Sequence, residues 1–348
     1  MSNIDGAFTA LVELFPAQIS SKISAELTDD LVDIQADLGR PIKLRYNDGF
    51  LFIDHTLSKE DLAYILAKLG TFDRFNRQGI EDTLNRVSCM RNTKQEIIGL
   101  TLRYARELEG LDEPLRDFLD KNILIIGVPG KGKTSYLRCI ANYLATECNR
   151  EVVIVDKTNE IAGYSDVPHP IVGAARRLQV TDRQALSMLE AVENHTPHTI
   201  IVDEIRDREE AMAAKTIGER GVQLIATCHG KTFFDVVKNP VLAPVLGGIS
   251  SVTLKDDTAK AAGSNKNVLE RESFPTFDVA IELIAFDEIA VYVNLEESID
   301  ALLRKEEVTP TILRKIGDKW VCIQHSAIKP KVVHEPKPEP RLILKKKR

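Results

Sequence analysis

The chain is predicted to be an α/β protein, a mostly parallel sheet preceded by a small α+β domain, and three observations predict it. Residues 127–134, Gly-Val-Pro-Gly-Lys-Gly-Lys-Thr, complete a G-x-x-x-x-G-K-[ST] phosphate loop. From residue 121 onward, short runs that are apolar throughout alternate with helical spacing, the pattern of a parallel sheet covered on both faces. Earlier in the chain, apolar residues instead alternate around Asn47-Asp48-Gly49, a hairpin signal.

In chain order, Ser20 to Leu38 is polar and helical in character. Pro41 to Ile53 alternates as a hairpin, and Ser58 opens a helix as N-cap with Asp61 three residues on. Ile97 to Tyr104 reads as a strand, and Asp112 to Asp120 as a connecting helix. Asn122 to Ile126 is a buried-type strand running into the loop, and Ser135 to Ala145 follows it at helical spacing. Val152 to Asp156 is a strand ending in an acid, Thr181 to His195 a helix, and Thr199 to Glu204 a strand ending in two acids. Glu209 to Gly218 is a helix and Val222 to Thr227 a strand. Phe277 to Ile284 and Ile289 to Val293 are strands around a turn, and Leu295 to Lys305 is a helix. The expected domains are 1–110 (small α+β), 111–285 (phosphate-loop domain), 286–328 (strand and helix extension) and 329–348, a Pro- and Lys-rich disordered tail.

Composition narrows the function classes. The 348 residues are 43% hydrophobic and 28% charged, ordinary for a soluble chain. No apolar run approaches the roughly 18 residues a membrane helix needs, so no membrane insertion is expected. Five cysteines without C-x-x-C pairing fit free thiols in a reducing compartment. A net charge of −6 confines any nucleic-acid affinity to local patches.

Chemistry concentrates at four places. In the loop, Gly127, Val128, Pro129, Gly130, Lys131, Gly132, Lys133, Thr134 and Ser135 are the candidate nucleotide ligands. Backbone N–H groups cradle phosphates, Lys133 reaches the terminal ones, and the Thr134 hydroxyl ligates Mg²⁺. Asp203-Glu204 matches a Walker B segment, with Asp203 orienting the metal and Glu204 polarising water. Glu160, just past the strand ending at Asp156, is placed to compete with Glu204 as the base. His229, after the strand ending at Thr227, is a candidate γ-phosphate sensor. Phosphoryl transfer also calls for an arginine. Arg103 with Arg106, and Arg176 with Arg177, are the candidates, with Arg40, Arg91 and Arg220 weaker.

A resemblance joins these places. Val155-Asp156…Asn159-Glu160-Ile161-Ala162-Gly163, Val167-Pro168-His169-Pro170, Ala175-Arg176-Arg177, Val202-Asp203-Glu204-Ile205 and Glu219-Arg220-Gly221…Thr227-Cys228-His229-Gly230 together resemble one family. It is that of the cyanobacterial and plastid-encoded P-loop ATPases related to the stage III sporulation AA ATPase. More distantly, the chain is similar to type II, type IV pilus and VirB11 secretion ATPases. The match runs over roughly residues 30–285. It implies a RecA-like core, ATP with Mg²⁺, hydrolysis, assembly into homo-oligomeric rings, often hexamers, and conformational work on a protein or nucleic-acid partner. It also implies that Glu160 belongs to an acidic box and His229 to a histidine box, and that Arg103 and Arg106 reach ATP. The implied location is cytoplasmic or plastid stromal. Two departures stand out: Arg206 occupies a position where relatives often have Gly, and no Arg-x-x-x-His nucleic-acid domain is found in the C-terminal part.

Overall fold

The computed structural model describes residues 6–26, 30–180, 182–253, 267–317 and 319–326; the predicted tail lies outside them. The described residues fall into two compact units, Met1–Glu107 with Ala162–Ile171, and Leu108–Ile161 with Val172–Arg348.

The first unit contains helices α1 (Gly6–Val12), α2 (Ala17–Ala25) and α3 (Lys59–Lys68). Its strands are β1 (Leu31–Asp37), β2 (Pro41–Tyr46), β3 (Gly49–Thr56), β4 (Arg77–Gly79), β5 (Arg86–Arg91) and β6 (Ile97–Arg103). They form one antiparallel sheet in the order β3-β2-β1-β6-β5-β4. The expected hairpin is β2–β3, turning at Asn47 and Asp48. Ser58 caps α3 as expected: its Oγ accepts from Asp61 N at 3.0 Å, while Asp61 Oδ2 accepts from Ser58 N at 3.1 Å. The expected helix Ser20 to Leu38 is corrected: the helix ends at Ala25, and β1 follows. Ile34 and Ala36 turn to the core while Asp33 and Gln35 alternate with them, which is strand periodicity. The segment Ala162–Ile171 packs on β4, where a Cβ at Gly79 would come within 2.1 Å of Tyr164 Cβ.

The second unit is built on a sheet of nine strands. Its strands are β7 (Ile123–Ile126), β8 (Val152–Asp156), β9 (Arg176–Gln179), β10 (Thr199–Ile205), β11 (Gln223–Cys228), β14 (Val279–Ala285), β15 (Glu288–Tyr292), β16 (Thr311–Ile316) and β17 (Lys319–Gln324). The order is β17-β16-β15-β14-β7-β11-β10-β8-β9. From β14 to β9 every pairing is parallel, and β14 to β17 continue it antiparallel. Strands β12 (Ile249–Thr253) and β13 (Asn267–Arg271) form a separate antiparallel pair. The helices are α4 (Lys133–Asn142), α5 (Gln184–His195), α6 (Arg208–Glu219), α7 (Phe233–Val237) and α8 (Leu295–Leu303). The expected connecting helix is a short 3-10 turn, Glu113–Phe118. β7, β8 and β10 are buried along their whole length, as continuous apolar runs require in a sheet covered on both faces. Among the described residues, no helix is long and apolar enough to cross a membrane.

Candidate functional site

Strand register gathers the chemistry of the second unit at one end of the sheet. Ile126, Cys228 and Ile205 are successive partners across β7, β11 and β10. The next residues along each strand are Gly127, His229 and Arg206, so the phosphate loop, the histidine and the residue after the acidic pair start from one row. β10 carries a register shift between Val202 and Ile205, which places Asp203 and Glu204 on an irregular strand end. Such irregularities re-aim side chains at functional edges.

The loop runs from β7 into α4. Gly130 and Gly132 have φ of +83° and +88°, which side-chain-bearing residues seldom adopt, and a Cβ at either would meet nothing within 4 Å. That leaves space at both glycine positions. Gly132 is also the N-cap of α4, with no side-chain cap, so no capping side chain takes the first-turn N–H groups. Free N–H groups at an open helix start suit an oxyanion. Lys133 Nζ donates to Gly127 O at 2.7 Å and Val128 O at 3.3 Å. Burial lowers its pKa, while Glu204, Cys228 and Asp203 pull it back up. Lys131 Nζ donates to Ile284 O at 3.1 Å.

Asp203 is buried and accepts from Thr158 Oγ1 at 2.7 Å, and its carbonyl accepts from Thr227 Oγ1 at hydrogen-bond distance. Burial raises its pKa to about 6; the Thr158 bond opposes the shift and Glu160 adds to it. A carboxylate so poorly solvated gains by having a cation beside it. Glu204 Oε2 accepts from Arg206 Nε at 2.6 Å. His229 Nε2 stands 2.8 Å from Glu204 Oε1, an ion-pair distance without hydrogen-bond alignment.

Glu160 closes the loop after β8. Asp156 Oδ1 accepts from Glu160 N and Oδ2 from Ile161 N, both at 3.1 Å, and Asn159 turns with φ +52°. Arg138 of α4 donates to Ile161 O at 3.0 Å and also to Glu160 O. Sequence reasoning missed Arg138, Thr158 and Thr227, because each acts across a span that no local motif covers. Arg103 and Arg106 belong to the first unit, where Arg103 is exposed on β6 and Arg106 donates to Leu31 O at 3.2 Å. Arg176 and Arg177 pair with β8 through β9.

The Thr134 hydroxyl and the Asp203 carboxylate are oxygen donors of the kind a hard divalent cation takes, and among the described residues no group of three or more His, Cys, Asp or Glu could hold a metal by itself.

Comparison with known proteins places this arrangement. The family model "Sporulation stage III, protein AA" matches residues 84–255. The protein ycf45 of Porphyra purpurea is 44% identical over 300 residues, 84% of this chain, and this chain spans only 53% of that protein's length. The ycf45 protein of Cyanidium caldarium is 41% identical over 278 residues, covering 78% of this chain and 83% of its own length. Among solved structures, the pilus retraction motor PilT is 17% identical with a TM-score of 0.50, over 72% of this chain and 80% of that one, a likeness of fold. The chain therefore belongs to the ycf45 family, with a RecA-like P-loop core that carries the sporulation stage III protein AA signature.

Proposed function

We propose that the chain binds ATP with Mg²⁺ and hydrolyses it, as a ring-forming homo-oligomer, hexameric by family resemblance, that does conformational work on a protein or nucleic-acid partner. The observation that carries this reading is the register row, which sets the Gly127–Thr134 loop beside the Asp203–Glu204 strand end. Residues 127–135 would hold the phosphates. Thr134 and Asp203 would hold Mg²⁺, which supplies neutralisation of the charge on the phosphate oxygens. Glu204 or Glu160 orients the attacking water and takes its proton. Lys133 keeps a positive charge beside the terminal phosphates, and Arg103 or Arg106 adds a second. The fold likeness to PilT, whose structure was solved with bound ADP, supports a nucleotide in this loop. The proposed setting is the cytoplasm or plastid stroma.

A second reading has one observation in its favour. Glu204 Oε2 is held by Arg206, which suits a slow, nucleotide-dependent switch that recruits its partner while ATP is bound. Steady-state ATPase activity against protein concentration, with mass followed by light scattering and Glu204→Gln alongside, separates the two. Turnover that climbs as oligomers form and drops by roughly 10²-fold or more in Glu204→Gln is the expected outcome. Near-zero turnover at all concentrations from a monomer that binds ATP tightly would leave the switch.

A further inference from the structure

Glu204 is the residue whose contacts fit its proposed task least well. A carboxylate that orients water must present a free oxygen lone pair toward it. Here Oε2 is engaged by Arg206 Nε at 2.6 Å, a short charge-assisted bond, while Oε1 faces His229 Nε2 at 2.8 Å. The Glu204 side chain is 9% exposed, so it has little room to turn while Arg206 and His229 stay in place. Arg206 differs from its partner: its side chain is 43% exposed, and only its backbone N–H is tied elsewhere in the described contacts, to Glu210 Oε2 at 2.7 Å. The guanidinium is thus the more exposed member of the pair. It springs from the same row as Gly127, the first residue of the phosphate loop. A polyanion seated in that loop would compete with Glu204 for it.

We infer that Arg206 is a positioning residue that latches the Glu204 carboxylate away from water, and that phosphate charge in the 127–134 loop draws the latch off. The inference rests on reading Glu204 as the water-orienting carboxylate. The pair is half open to solvent on the Arg206 side, so its grip is worth a modest factor rather than orders of magnitude.

The test compares the full chain with Arg206→Gln, which removes the charge at similar length, and Arg206→Lys, which keeps it. The first readout needs no turnover: carbodiimide coupling of an amine to Glu204 in nucleotide-free protein, mapped by peptide mass spectrometry. Coupling is expected to be low in the natural chain, several-fold higher in Arg206→Gln, and intermediate in Arg206→Lys. The second readout is kcat beside the Kd of a non-hydrolysable ATP analogue. Because seated phosphates draw the latch off, Arg206→Gln should leave kcat within about twofold and weaken the analogue's Kd roughly fivefold, the loss of Arg206's pull on the phosphates. A fall in kcat with unchanged coupling would overturn the latch and make Arg206 a direct contributor to catalysis. Should Arg206→Gln fail to fold, Arg206→Met decides: coupling equal to that of the natural chain overturns the latch. Glu204→Gln keeps the two readings apart. If it hydrolyses ATP at the natural rate, the base assignment fails, whereas a null Arg206 result with an inactive Glu204→Gln defeats only the latch.

Discussion

Arg138 shows how a single buried charge can shape the candidate site without being part of it. It lies 6% exposed on α4 and donates to the carbonyls of Glu160 and Ile161, the two residues whose N–H groups Asp156 accepts. Burial lowers the guanidinium's pKa, and the nearby Asp156 and Glu160 carboxylates oppose that shift. The loop bearing Glu160 is therefore pinned at its N–H groups by one side chain and at its carbonyls by another. Arg138→Met keeps most of the volume but removes the donor to both carbonyls and the positive charge near Asp156 and Glu160. It should lower stability by about 2–3 kcal/mol, read as a lower urea midpoint with unchanged m-value. A midpoint within error of the natural chain would show that water replaces the guanidinium and that the loop does not depend on it.

At the scale of elements, the start of α3 combines a local signal with a pH dependence. Burial tends to raise the Asp61 pKa, but bonds from His55 and from the Ser58 backbone and hydroxyl prevail, so the net shift is downward from 3.8. His55 Nε2 lies 2.8 Å from Asp61 Oδ2. A carboxylate depressed by folding stabilises fully above its ordinary pKa, and that contribution drains away as pH falls through the lower folded value. Asp61→Asn should thus be less stable than the natural chain at neutral pH, and the gap should narrow as pH falls below about 4, closing only below the depressed folded value. A gap that persists unchanged at pH 3 would mean that the charge is not what Asp61 contributes. Ser58→Ala, losing the cap itself, should cost about 1 kcal/mol. This helix start was legible because Ser58 and Asp61 lie within one turn. The parallel strands were legible too, since burial on both faces makes β7, β8 and β10 apolar without interruption. β1 was not, because Asp33 and Gln35 on its polar face hide the alternation, and Asp33 finds its charged partner in Arg45 of the next strand. The short strands β4 and β9, of 3 and 4 residues, leave too few positions for any period to show. In the candidate site, the loop and the Asp203-Glu204 pair could be read as contiguous motifs. Thr158 could not, since its bond to Asp203 spans 45 residues.

For the whole molecule, the two units have separate hydrophobic cores, one around Ile34, Leu44 and Leu102, the other around Val155, Val202 and Ala226. The cysteines report on them independently. Cys89 is buried in the first unit, Cys139 and Cys228 in the second, and Cys148 is exposed. Burial raises the Cys89 pKa and pushes Cys139 to about 11 and Cys228 to about 12, so near pH 8 these thiols stay protonated as well as shielded. Alkylation of the native chain should therefore mark Cys148 first. With rising urea, Cys89 should become reactive as the first unit opens, and Cys139 with Cys228 as the second does. A ligand that binds only the folded form stabilises it by RT ln(1 + [L]/Kd), about 2.7 kcal/mol at a hundredfold excess over Kd. If the proposed nucleotide contacts of residues 127–135 and Asp203 carry the binding, MgATP should delay Cys139 and Cys228 and leave Cys89 where it was. Lys133→Ala should erase that delay. If Cys89 is delayed by MgATP as well, the first unit contributes to binding, as the proposed approach of Arg103 and Arg106 to ATP requires, and Arg103→Ala should then release Cys89 alone. No shift at any cysteine would argue against a nucleotide in the loop.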